Sequence, residues 1–103
     1  MLDSRLLYKD KRLKGIVELL LGKYGDRILI KDLWDADHCA IGLCDKIEEH
    51  LIYISIYRLP VGRFNIVLEN LSDNEGKIEI VGEFNDISFD RLEEILLNHL
   101  MID

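Results

Sequence analysis

One candidate metal cluster lies between positions 35 and 50: Asp35, Asp37, His38, Cys39, Cys44 and His50. A structural zinc site takes two ligand pairs, the members of each roughly two to four residues apart. Here four residues separate Cys39 from Cys44, and no second pair mirrors them. Positions five apart on one regular strand point to opposite faces. Only a bulge, with Gly42 as its natural place, would bring the two thiols together. The expectation is that neither cysteine binds metal or forms a disulfide, and that both serve as small apolar side chains.

Nucleophilic catalysis would pair Cys39 or Cys44 with His38, His50 or His99. Such a dyad needs tertiary proximity and a third, orienting group. No glycine-rich elbow or other local signature flanks either thiol. His99 sits at the border of an apolar helical stripe, where packing and one hydrogen bond satisfy a histidine. The carboxylate pairs Glu48-Glu49 and Asp35-x-Asp37 lie in connections and do not flank a bond to be cleaved. Gly22-Lys-Tyr-Gly25 lacks the glycine and hydroxyl pattern of a phosphate loop. The chain reads as non-enzymatic and without a cofactor. Trp34, the sole tryptophan, stands among acids in WDAD; it is either an interface anchor with an electrostatic rim or a plug at the end of the core.

The elements that position these residues follow from periodicity. Leu6, Leu13, Val17, Leu20 and Tyr24 form one stripe of a helix over residues 4–24, capped by Asp3 or Ser4 and stopped by Gly25. Gly15 and Gly22 lie off that stripe, with Leu19 at its edge. Residues 27–33 and 38–45 read as strands, the second placing Cys39, Ile41 and Leu43 on one face. The most strongly patterned stretch is LIYISIYRLPVGRFNIVLEN, residues 51–70. Ile52, Ile54 and Ile56, then Phe64, Ile66 and Leu68, alternate with Tyr53, Ser55, Tyr57 and Arg63, Asn65, Val67, Glu69. Two such runs around Pro60-Val61-Gly62 predict a β-hairpin. Residues 71–76 are a turn cluster, and 77–84 predict a last strand with Ile78, Ile80 and Phe84 inward and Lys77, Glu79, Val81 and Glu83 outward. Asn85-Asp86 links to a final helix capped by Ser88, with Phe89, Leu92, Leu96, His99 and Leu100 as its stripe.

The order α-β-β-β-β-β-α, with short connections, implies an α+β fold in one domain over residues 1–103. An antiparallel sheet of about five strands would be covered on one face by both helices. The opposite face would be wet, mildly acidic and carry Tyr53 and Tyr57, a surface suited to protein contact.

Charge narrows the class of partner. The formal net charge is −7. Residues 1–31 hold eight basic and four acidic side chains, giving +4, whereas residues 32–103 hold five basic and 16 acidic, giving −11. A sheet region this acidic repels phosphate backbones, which argues against nucleic acid, and attracts a basic protein. No apolar run reaches the roughly 20 residues of a membrane span. The N-terminus lacks the apolar core of a secretory signal. With two cysteines only, reduced thiols and a cytoplasmic location are expected.

An acidic domain of this size, built on LIYISIYRLPVGRFNIVLEN with KIEIVGEF and FDRLEEILLNHL after it, resembles bacterial immunity proteins that neutralise polymorphic toxins, including those of contact-dependent growth inhibition systems. The resemblance is one of organisation across residues 27–100. It implies a cytoplasmic, non-enzymatic protein that binds one cognate toxin domain, often a basic nuclease, at or beside its active site. The partner-binding residues expected from exposed acids and aromatics are Trp34, Asp35, Asp37, Glu48, Glu49, Tyr53, Tyr57, Glu69, Glu79 and Glu83. A monomer suffices for that role. The alternatives are an acidic adaptor like a secretion chaperone, dimerising through Gly15, Leu19 and Gly22, and a small enzyme built on Cys39 or Cys44.

Overall fold

The computed structural model describes residues 9–31, 38–71 and 77–102. The first helix, α1, spans Lys11–Tyr24. It starts later than its apolar period suggests, because Asp10 caps it: the Asp10 carboxylate accepts from the Arg12 N–H at 2.8 Å. A capping oxygen satisfies one of the amide groups that the first turn leaves open. The Asp10 N–H in turn donates to the His38 carbonyl at 2.8 Å, fixing the helix entry. Asp3, Ser4 and Leu6 lie outside the described residues. At the other end Gly25 terminates the helix as expected, and a 3-10 turn, Gly25–Arg27, follows.

The five strands are β1 (Leu29–Ile30), β2 (Ala40–Cys44), β3 (His50–Ser55), β4 (Arg63–Leu71) and β5 (Ile78–Ser88). They pair in chain order, each antiparallel to the next. This is the meander that short connections require, and α2 (Phe89–His99) closes the chain. The Ser88 hydroxyl caps α2 by accepting from the Arg91 N–H at 3.3 Å.

Pairing register sorts the side chains into two faces. Ile41, Ile54, Ile66 and Phe84 form one cross-strand row, and Leu43, Ile52, Leu68 and Gly82 the next. Leu13, Val17 and Leu20 of α1 and Leu92, Ile95 and Leu96 of α2 join these rows in one apolar core, so both helices cover the same face. Tyr24 of α1 donates from its hydroxyl to Glu93 of α2 at 2.7 Å, which ties the helices side by side. Ile95 is buried although the sequence stripe passes it over. A shared core of this kind is what makes the two helical stripes stable, since burial rather than propensity holds short helices.

Three sequence expectations change. The hairpin loop between β3 and β4 covers residues 56–62 and consists of two successive turns, closed by Leu59 N–H to the Ile56 carbonyl and Arg63 N–H to the Pro60 carbonyl. Gly62, at φ 84°, takes the left-handed position of the second turn. Next, β5 does not stop at Phe84 but runs to Ser88, so Asn85 and Asp86 belong to the sheet. The third change matters most. The β4–β5 ladder shifts register between Leu68 and Glu69, where Leu68 faces Gly82 but Glu69 faces Ile80, leaving Val81 as an extra residue. A bulge reverses the faces of everything beyond it. Ile78 and Ile80 therefore point away from the helices and stand 48% and 59% exposed, while Glu79 moves to the helix side opposite Asn70. Phe84 keeps its place against the core. Gly82 suits the bulge for a local reason: a Cβ there would meet Leu68 Cδ1 at 3.3 Å.

Candidate functional site

Three of the cross-strand rows on the face of the sheet away from the helices bear on the expected site. One runs Gly42, Tyr53, Val67, Glu83; the next runs Cys44, Leu51, Glu69, Ile80; the last pairs Leu71 with Ile78. Tyr53, Glu69 and Glu83 of the expected binding set thus share one surface. Between and beside them lie Val67 and Leu71 of β4, and Ile78 and Ile80 of β5, the last two turned to this face by the bulge. Strand β5 is the outer edge of the sheet, eleven residues long, and its other margin is unpaired by any described strand.

Glu69 departs from expectation in one respect. It was expected to be solvent-exposed, yet only 6% of it is accessible, with Leu51 and Ile80 as its cross-strand neighbours. Burial raises its carboxyl above the ordinary carboxylate range. A carboxylate stripped of water favours its neutral form unless a donor or cation compensates.

The remaining expected residues lie elsewhere. Glu48, at φ 56° in the β2–β3 turn, is exposed and accepts from Lys31 Nζ at 2.7 Å. Glu49 follows it, and its carbonyl accepts from the Leu71 N–H. Tyr57 is 61% exposed in the β3–β4 loop, with the Arg58 guanidinium 5.3 Å from its ring centre. Glu79 is exposed but on the helix side of β5. Trp34, Asp35 and Asp37 lie outside the described residues.

A second constellation, not singled out as a unit from the sequence, gathers at the C-terminal end of α2. Asp45 accepts from His50 Nδ1 at 2.6 Å through Oδ2, and from the Glu49 and His50 N–H groups at 2.9 and 3.2 Å through Oδ1. Burial pushes the Asp45 carboxyl up, but the bonds from His50 and the two amides outweigh it and hold the group below its ordinary value. The His50 and His99 rings meet edge to face at 5.6 Å. His99 Nε2 lies 3.1 Å from the Leu51 carbonyl and 3.0 Å from that of Glu69; both partners only accept, so this nitrogen carries the proton. A cavity of about 230 Å³ opens beside Asp45, Lys46, His50 and Met101.

The Asp45–His50 pair has the form of a general base with its orienting carboxylate. It lacks a nucleophile among the described residues: Cys44 is fully buried and faces the opposite side of the sheet from His50. Cys39 packs on the helix side. The two cysteines thus lie on opposite faces, as strand alternation requires, and β2 pairs with β3 without a bulge at Gly42. No group of three or more His, Cys, Asp or Glu side chains among the described residues is placed to share a metal ion. No helix among them is long and apolar enough to cross a membrane. No protein-family model matches the chain, and no curated protein or solved structure matches it significantly.

Proposed function

We propose that this protein is a non-enzymatic binding module that engages a basic protein domain through the helix-free face of its sheet, as an immunity protein does in neutralising a cognate toxin. One observation carries the reading: Ile78 and Ile80 stand exposed on that face, with the exposed acid Glu83 on the same face of β5, an apolar patch with an acid beside it. Interfaces commonly combine such a centre, which supplies the desolvated contact, with a charged rim that governs encounter. The acidic balance of residues 32–103, at −11 with Asp35 and Asp37 included, supports a partner of positive charge. Tyr53 supplies amphipathic aromatic surface in the neighbouring cross-strand row, and Tyr57 does so at the far end of the strands, in the β3–β4 loop. Acidic side chains of this module would occupy the toxin's phosphate-binding cations and so displace its nucleic-acid substrate. Full burial of Cys44 counts against the thiol-enzyme reading.

The test is co-expression with the C-terminal domain encoded by the neighbouring upstream reading frame. Rescue of growth is expected, together with a complex whose association slows as salt rises. No rescue and no complex with that domain would overturn the reading. The adaptor alternative has its own support in Leu19, 50% exposed on α1 between glycines whose missing Cβ atoms would meet nothing within 4 Å. A dimer in native mass measurements, lost in Leu19→Glu, would favour it.

A further inference from the structure

Strand β5 is the one described strand without a buried residue. Even Gly82, Phe84 and Ile87, which face the helices, are only partly buried. Its inner margin pairs with β4, and no described strand pairs with its outer margin. A strand edge presents N–H and C=O groups that pair readily with another extended chain. Two further features lie along this edge on the helix side. The apolar row Leu43, Ile52, Leu68 ends at Gly82, which has no side chain to continue it. A cavity of about 340 Å³ is lined by Leu68 of β4, Phe84 of β5 and Arg91, Ile95, Asn98 and His99 of α2. On the opposite face of the same strand Ile78 and Ile80 stand exposed, and the exposed Glu83 shares that face.

We infer that β5 takes an extended segment of the protein partner as an added strand along its outer margin, a segment in which lysine or arginine alternates with apolar residues. This rests on the proposed basic partner and names the way in which that partner is held. The alternation follows from the two faces, because side chains of an added strand point by turns to either side of the sheet. Those on the helix side would continue the Leu68 row past Gly82 toward the cavity. Leu68, Phe84 and Ile95 there suit apolar groups, and Arg91 in the same wall disfavours cations. Side chains on the other face would lie beside Ile78, Ile80 and Glu83. Lysine and arginine fit that setting, with an aliphatic stem along isoleucine and a charged tip by the carboxylate. The charge of the strand has the matching sign: β5 carries Glu79, Glu83 and Asp86 and no basic residue. Asp86 is paired with Arg63 at 2.8 Å, whereas Glu79 and Glu83 stand exposed. The same acids make a second copy of this chain a poor occupant, since two β5 edges would bring acids together with no basic residue on either strand.

The probe is an end-capped decapeptide alternating lysine and valine, followed by amide hydrogen exchange and by affinity at low and high salt. In the free protein the outward-facing amides between Ile78 and Phe84 should exchange quickly, because they have no strand partner. Peptide binding should protect them, and affinity should fall as salt rises. Glu83→Lys should lose at least about tenfold in affinity, since it sets like charges side by side. Asn98→Trp, which fills the cavity from the exposed surface of α2, should lose binding as well, while Glu18→Gln on α1 should not. Two altered peptides make the test independent of how these variants fold: one methylated on every backbone nitrogen, and one with the same residues ordered as a lysine block and a valine block. Neither should bind as the alternating peptide does. Slow exchange of every β5 amide in the free protein would show the margin already covered and overturn the assignment. Binding that leaves those amides unprotected would also overturn it, with the peptide then seated on the sheet face and a basic partner still standing. Equal affinity for the block-ordered peptide would remove the alternating segment. If wild type does not bind the alternating peptide, strand addition falls, whereas the basic partner falls only if co-expression with the upstream domain fails too. A dimer that excludes the peptide would make a second copy the occupant and overturn the partner-segment assignment.

Discussion

Replacing Asp45 with alanine would test whether one carboxylate organises the turn between β2 and β3. The side chain accepts three hydrogen bonds, from the Glu49 N–H at 2.9 Å, the His50 N–H at 3.2 Å and His50 Nδ1 at 2.6 Å. It is buried, so water replaces these contacts incompletely in the variant. At about 1 kcal/mol for each bond, Asp45→Ala should cost about 3 kcal/mol. The turn also holds Glu48 at φ 56°, a left-handed conformation that costs a non-glycine residue about 1 kcal/mol and that the Asp45 bonds help to maintain. Asp45→Asn separates the two roles. An asparagine oxygen can still accept from both backbone amides, while its NH2 group opposes the His50 Nδ1 donor; about 1–2 kcal/mol should be lost. The measurement is urea unfolding followed by far-ultraviolet circular dichroism at several pH values. Because the Asp45 carboxyl is depressed in the folded state, its contribution is fully present above the unfolded value and is lost as pH falls through the folded one. The gap between wild type and Asp45→Ala should therefore close in acid. A cost below about 1 kcal/mol at neutral pH, or equal costs for alanine and asparagine, would refute this account.

Other expectations follow from packing and backbone geometry. Leu20, fully buried between α1 and the sheet, should cost about 2–5 kcal/mol when cut to alanine, read as a lower denaturation midpoint with unchanged slope. Gly22→Ala should stabilise by roughly 0.5–1 kcal/mol, since nothing lies within 4 Å of the added Cβ and alanine favours the helix interior. Gly62→Ala should lower the unfolding temperature, because the residue sits at φ 84°.

Much of this architecture is local and therefore present in the sequence. Alternation of Ile52, Ile54 and Ile56 with Leu51, Tyr53 and Ser55, and of Phe64, Ile66 and Leu68 with their neighbours, determines two paired strands and the face they turn to the helices. The helical period does the same for Leu13, Val17 and Leu20, and Ser88 announces the last helix. These signals work because side-chain direction along a regular element depends only on its own period. Short connections then leave little choice but a meander.

What the sequence could not decide depends on a partner strand or a distant group. Ile78 and Ile80 alternate as core residues should, yet the extra Val81 in the β4–β5 pairing turns them outward, and a bulge is a property of two strands rather than of one. Glu69 reads as an exposed acid, yet it is buried together with Cys44 and Leu51 of its cross-strand row. Asp45 and His50 meet because the turn between them folds back, and His99 joins them from the far end of the chain. The first helix begins at Lys11 because Asp10 is anchored to the His38 carbonyl, a contact that its apolar stripe does not encode. The sequence by itself determined the elements and most of the core through local periodicity. Tertiary structure alone decided which acids and apolar groups share a surface, because burial and register are set by what lies across the sheet.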